Sequence, residues 1–165
     1  MSQRFPDVNS YIHSDDLQPV VGDELHLETS DSTSLAEVGV LFHTEQPRSG
    51  TFMVRDLHAV CAYSEVPGLE VLPIATALAQ YPWLREQYSW NLISPDEDEI
   101  TRQVAEAAPE GFFLRVRAGE KISLPSQTAL YMASANIAQR IHNLVIVEDG
   151  AALELITGCL TRSAE

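Results

Sequence analysis

The side chains able to do the most chemistry are few: two cysteines, Cys61 and Cys159, and five histidines. A thiolate can attack, carry sulfur or bind a metal, and an imidazole can ligate or move a proton near neutral pH. Cys61 lies inside the apolar run 51–63 (TFMVRDLHAVCAY), where a cysteine reads as a small buried hydrophobe. Cys159 follows Gly158 where a strand should turn and is better placed for exposure, while His142 immediately precedes the apolar stretch 144–147. These two are the candidates for sulfur or metal chemistry; the plainer readings are a structural thiol and a hydrogen-bonded turn histidine. At the same corner, Arg140 and Asn143 read as partners for loop carbonyls. His13, Asp15, Asp16 and His26 mix metal-binding types, but their spacing fits no tetrahedral motif and reads as a solvated face. No phosphate loop, G-x-S-x-G elbow, C-x-x-C pair or H-E-x-x-H helix occurs, so no catalytic, cofactor or metal set is assigned and the chain does not read as an enzyme.

The 165 residues suit one ordinary domain, or one small domain plus the start of another, and their charge is lopsided. Of a net −14, residues 1–110 carry 19 acidic and five basic side chains, whereas residues 111–165 carry five of each. Nucleic-acid binding needs a basic footprint, and this composition excludes it. No apolar run is long enough for a membrane span, and the polar residues 1–18 lack the pattern of a secretory signal. Two cysteines make no disulfide framework, and a reduced, cytoplasmic setting follows.

The elements that must position Cys159 and His142 come from an internal echo. Residues 112–124 (FFLRVRAGEKISL) and 143–155 (NLVIVEDGAALEL) superpose at a constant offset of 31, aligning Leu114 with Val145, Val116 with Val147, Gly119 with Gly150, Ile122 with Leu153 and Leu124 with Leu155. Alternating apolar residues put one strand face on a core, and a glycine at the same turn position suits positive φ. A repeat of this length predicts stacked coils of a solenoid. The charge break at 110/111 divides the chain into an acidic α/β region, 1–110, and the start of a β-helix, 111–165, with two recognisable coils. The last strand, over 152–157, then leaves an open edge that predicts a homo-oligomer, or a cap made by the N-terminal helices.

Upstream, a short helix is expected at 8–17 and another within 31–42, then one or two strands over 51–63 and a brief strand at 69–72. Residues 73–90 predict a helix or helix pair broken at Pro82, with Tyr81, Trp83, Tyr88 and Trp90 as core and docking aromatics. Ser94, Pro95 and Glu97 predict a capped helix running to about Ala108, with Ile100, Val104 and Ala107 facing inward. A strand at 129–132 and a loop at 135–139 lie between the two copies of the echo.

Several of these segments together resemble the N-terminal region of SufB/SufD-type proteins, most closely the archaeal-type members. They are RSGTF (48–52), LEVLP (69–73), the 81–88 segment, GFFLRV (111–116) with Gly119, QRIHNLVIVEDG (139–150) and ITGC (156–159). The resemblance covers residues 49–161. It implies an α+β architecture in which a small helical N-terminal region precedes the first coils of a right-handed parallel β-helix. It also implies a non-catalytic scaffold in iron–sulfur cluster assembly, partnered by a SufC-like ATPase and a SufB/SufD-like subunit. The family's β-helix has many more coils and a closing helical segment for the ATPase. This chain therefore reads as a fragment or short relative, with no cofactor of its own and an iron–sulfur cluster only in a full-length assembly. The alternatives are a non-catalytic β-solenoid interaction module and a cupin-like metal enzyme, the latter weakened because Leu144 stands where a second histidine would be needed.

Overall fold

Strands whose apolar residues alternate need a covered surface on at least one side, and the strands over residues 50–55, 112–116 and 126–132 are covered on both. The computed structural model describes residues 29–42 and 46–162. In chain order the elements are α1 (Thr29–Glu37), β1 (Gly50–Arg55), β2 (His58–Ser64), β3 (Leu69–Pro73), α2 (Ile74–Gln80), α3 (Pro82–Gln87), α4 (Glu99–Glu106), β4 (Phe112–Val116), β5 (Ser126–Met132), β6 (Leu144–Val147) and β7 (Leu155–Thr161). They build a four-stranded sheet, β2-β1-β5-β7, and a three-stranded sheet, β3-β4-β6.

Both sheets are mixed and follow the same plan. β2 pairs antiparallel with β1, which then pairs parallel with β5, and β5 pairs parallel with β7. In the smaller sheet β3 is antiparallel to β4, and β4 is parallel to β6. The inner faces meet in a core of Phe52, Val54, Leu69, Val71, Phe112, Leu114 and Val116. On the far side of the larger sheet, Leu35 and Val40 pack against Met53, Cys61, Ala129 and Tyr131. On the far side of the smaller one, Ile74, Ala77, Leu78 and Leu84 of α2 and α3 enclose Phe113. β1 is buried on both faces for this reason, and Pro82 at the start of α3 splits the helix pair as expected.

The right-handed parallel β-helix that the resemblance implies, and the solenoid coils expected from the echo, are not what the described residues form. They make a mixed α/β arrangement of two small sheets, with no closed sheet and none that winds around a coil. A cupin-like barrel is absent among them for the same reason. The echo does record a real pairing: Leu114 lies opposite Val145 and Val116 opposite Val147 in parallel register. Gly119 and Gly150 have φ of 79° and 71°, as their turn positions require. Beyond the turn, however, the second halves of the copies keep only a single bridge, Lys121 to Ala152. The next strand pair starts with Ser126 opposite Leu155, so Leu124 does not face Leu155. The connection into β7 is two residues shorter than the one into β5. That difference preserves which face each side chain takes, because strand side chains alternate with period two.

The helix predicted from Ser94 also starts later. Asp98 is its N-cap: the Asp98 carboxylate accepts from Thr101 N at 2.8 Å, and Thr101 Oγ1 accepts from Asp98 N at 2.9 Å. Ser94 Oγ instead accepts from Asp96 N at 3.2 Å within a turn. No residue of α4 is buried, and Ile100, expected to face inward, is 72% exposed. The expected helix at 8–17 and the group His13, Asp15, Asp16 and His26 lie outside the described residues. Among the described residues no helix is long and apolar enough to cross a membrane.

Candidate functional site

The structure separates the two residues singled out for sulfur or cluster chemistry. Cys159 is exposed on β7, the edge of the four-stranded sheet, whereas His142 sits just before β6 in the other sheet. Cys61 is buried on β2, and burial pushes its thiol up to about 12. Both cysteines are free, and among the described residues no three His, Cys, Asp or Glu side chains stand together as a metal site. This contrast makes a simple prediction. A thiol reagent at pH 8 is expected to label Cys159 quickly and Cys61 at least about a hundredfold more slowly, since only thiolate reacts and burial also blocks access. Cys159→Ser should abolish the fast phase. Two equally fast thiols would contradict the packing of β2 beneath α1.

His142 belongs to a more elaborate corner. Glu110 and Ile141 form a parallel bridge, and His142 N donates to Glu110 O at 2.9 Å. Asn143 Oδ1 accepts from Phe112 N at 3.0 Å, tying the entry of β6 to the start of β4. Asn143 thus serves a backbone donor, where a carbonyl partner was expected. Between Glu110 and Phe112, Gly111 takes φ of 122°, where side chains rarely go. Trp90, another left-handed residue at φ 60°, lays its ring 4.2 Å from the His142 ring. Burial holds the His142 pKa below the usual imidazole value, so its neutral form dominates at pH 7.

Two connected hollows flank this ring pair. The inner one, with room for only about 30 Å³, is lined by Leu78, Arg85, Ser89, Trp90, Glu110 and His142 among others. The outer groove, about 300 Å³, runs between Leu92, Ile93, Ile100 and Leu144, and shares Trp90, Val104 and His142 with the inner one. Two polar groups of the inner cavity have no hydrogen-bond partner: Ser89 Oγ, on a residue only 2% exposed, and Glu110 Oε2. Desolvation raises the Glu110 pKa, with the Arg140 backbone N–H opposing it. Arg85 directs Nε to the Leu78 carbonyl at 3.2 Å. The arrangement combines largely apolar walls and an aromatic face with two buried polar atoms behind them. Sequence reasoning singled out His142 but missed Ser89 and Glu110, which are 53 and 32 residues from it and belong to no local motif.

No protein-family model matches the chain. An iron–sulfur cluster assembly SufBD family protein of Archaeoglobus fulgidus is 35% identical over 129 residues, covering 78% of this chain and 34% of the relative. A SufBD family protein of Methanothermobacter thermautotrophicus strain Winter is 33% identical over 132 residues, covering 78% of this chain and 32% of that protein. The corresponding protein of strain Delta H is 33% identical over 121 residues, or 71% and 29%. The chain thus spans about a third of the length of the curated relatives it matches. Over most of its own length, it is a SufBD-like protein, related to the iron–sulfur cluster assembly SufBD family.

Proposed function

We propose that this chain contributes to iron–sulfur cluster assembly as part of a scaffold, acting without catalysis of its own in the cytoplasm. The observation that carries the reading is its 33–35% identity, over 71–78% of its length, to three proteins named for that role. In this reading the partners are a SufC-like ATPase and a SufB/SufD-like subunit, and the cluster is cargo held only by the complete assembly. Cys159 is the better candidate for touching sulfur, being exposed where Cys61 is buried. His142 would support the corner beside Trp90.

The joining surface in this reading is the open end of the core between the sheets. Val145 and Val147 share a strand face with Leu114 and Val116, yet they are 46% and 47% exposed where the latter pair are fully buried. Such a face, with β6 and β7 as sheet edges, favours continuation by further polypeptide, such as a partner subunit or a second copy. Purified with the Suf-type ATPase and partner subunit of the same organism, the chain is expected to enter a complex. Val147→Lys should weaken that complex about tenfold or more, because it places a charge where an apolar face must close. Light scattering of the chain alone addresses the second-copy form, which Val147→Lys should shift towards monomer. A chain that joins neither subunit, and leaves cluster delivery unchanged when removed, would overturn the assembly reading. A chain that associates only with itself would favour a plain interaction module.

A further inference from the structure

Helix α4 is held by little. None of its residues is buried, and only its Val104 and Ala105, with Ala107 just after it, reach the inner hollow beside Trp90 and His142. Ile100, one turn before Val104 on the same stripe, is 72% exposed. An element with so few buried apolar contacts opens at a small fraction of the free energy of global unfolding. Effects too small to matter in the core therefore decide whether α4 stays in place.

Charge is one such effect. Asp96, Glu97, Asp98 and Glu99 follow one another where the chain enters the helix, and all four are exposed. Asp98 is engaged as the N-cap, and Glu99 pairs with Arg102 at 3.1 Å. Asp96 and Glu97 have no ion pair among the described residues, and they precede the N-cap, so little of the helix dipole's attraction for anions reaches them. The wider surface offers no compensation. Glu37, Glu65, Glu86, Glu120, Asp149 and Glu154 are exposed and also lack an ion pair among the described residues. The pairs that do form are Arg102 with Glu99, Arg115 with Glu148, and Arg55 and Arg162 with buried Asp31. With 24 acidic against ten basic side chains in the whole chain, self-repulsion opposes every compact arrangement.

The range of that repulsion sets the salt needed to remove it. Consecutive Cα atoms are about 3.8 Å apart, so neighbouring carboxylates of the 96–99 run stand about 4–8 Å from one another. The Debye length is about 8 Å at 0.15 M salt and about 3 Å at 1 M. Repulsion within the run therefore survives in ordinary buffer and is quenched only near molar salt.

We propose that α4 is a salt-dependent cover over the Trp90–His142 corner, closed in molar monovalent salt and the first element to detach as the salt concentration falls. The agent is screening by mobile ions, with no bound cation. The inference does not depend on the cluster-assembly role.

The test is hydrogen exchange on the 165-residue protein in potassium chloride at about 0.1 M and about 2 M, each rate taken relative to an unstructured peptide of residues 99–107 in the same salt. The α4 amides are expected to exchange at least about tenfold more slowly at the higher concentration, while β1 and β4 stay protected at both. Asp96→Asn combined with Glu97→Gln removes the two carboxylates that lack an ion pair. Both side chains are exposed and the Asp98–Thr101 cap is untouched, so the fold is not at risk. The double variant should cut the salt response of α4 from about tenfold to about threefold. Equal protection of α4 at both concentrations would overturn the proposal, as would an undiminished response in the double variant. Loss of β1 and β4 together with α4 would show that the helix is no separate cover. Magnesium chloride at about 2 mM matching molar potassium chloride would mean a bound cation in place of screening. Ammonium sulfate acting far more strongly than potassium chloride at equal ionic strength would mean strengthened apolar burial. Each of these three outcomes also refutes the proposal.

Discussion

Replacing Gly111 by alanine is expected to destabilise the protein by about 3–5 kcal/mol, combining backbone strain with broken buried hydrogen bonds. At φ 122° a side chain is strained in any surroundings. Here the surroundings add a collision, because an alanine Cβ would run into the His142 carbonyl oxygen and come within 2.6 Å of Asn143 Oδ1. Neither atom is free to retreat. The His142 amide donates to Glu110, Asn143 Oδ1 accepts from Phe112 N, and the Gly111 carbonyl accepts from Ile74 N at 2.9 Å. Relief would therefore loosen three connections that join the start of α2, β4 and the entry of β6. Calorimetry should record a fall in Tm of about 10–15 °C for a domain of this size. Gly119→Ala is the matched control. It also has positive φ, at 79°, but an added Cβ meets nothing within 4 Å, so about 1 kcal/mol is expected from strain alone. Equal losses for the two variants would mean that strain, and not the packed corner, sets the cost.

That contrast bears on how much the sequence disclosed. The glycines of the echo marked two turns correctly, since both positive φ and the alternation around them are local properties. The parallel pairing of β4 with β6 followed from the constant offset. What the offset could not carry was the company these strands keep. β3 adds antiparallel to β4, and the local β1–β2 hairpin joins β5, through contacts distant in sequence, and they turn an expected single coil wall into two mixed sheets. The β1–β2 turn was equally hidden. Asp56 adopts φ 54° with no glycine in the turn, held because its carboxylate accepts from Ala133 N at 2.8 Å and Ser134 N at 2.9 Å.

The stretch 94–101 contains two overlapping capping signals, Ser94 with Glu97 and Asp98 with Thr101. The second closes both donors reciprocally, and the helix begins there. Its apolar stripe then faces the groove and not the core. The candidate site was legible only as His142. Ser89 and Glu110 become neighbours of that ring through the packing of α3 and the bridge at Ile141, neither of which leaves a spacing to count.

The second large effect concerns Phe113, where the smaller sheet meets its helices. Phe113→Ala should cost about 3–5 kcal/mol, the range for a fully buried phenylalanine whose loss leaves a cavity. Phe113 is fully buried, stands opposite Leu72 on one side and Leu144 on the other, and has its ring 6.1 Å from Tyr81. Ile74, Ala77, Leu78 and Leu84 of α2 and α3 close over it. It is the only residue of β4 in that cluster, whereas Phe112, Leu114 and Val116 point to the core between the sheets. The damage should therefore be directional. Hydrogen exchange is expected to show α2 and α3 losing protection first, while β1, β2 and β5 retain theirs until global unfolding. Trp83, whose ring is 5.7 Å from Tyr81, should change its fluorescence along with the helices. Phe113→Leu, which keeps most of the volume, should cost less than about 1.5 kcal/mol and leave the exchange pattern intact. Uniform loss of protection in both sheets would show instead that the helices and the two sheets open as one cooperative unit, and that Phe113 supports all of it.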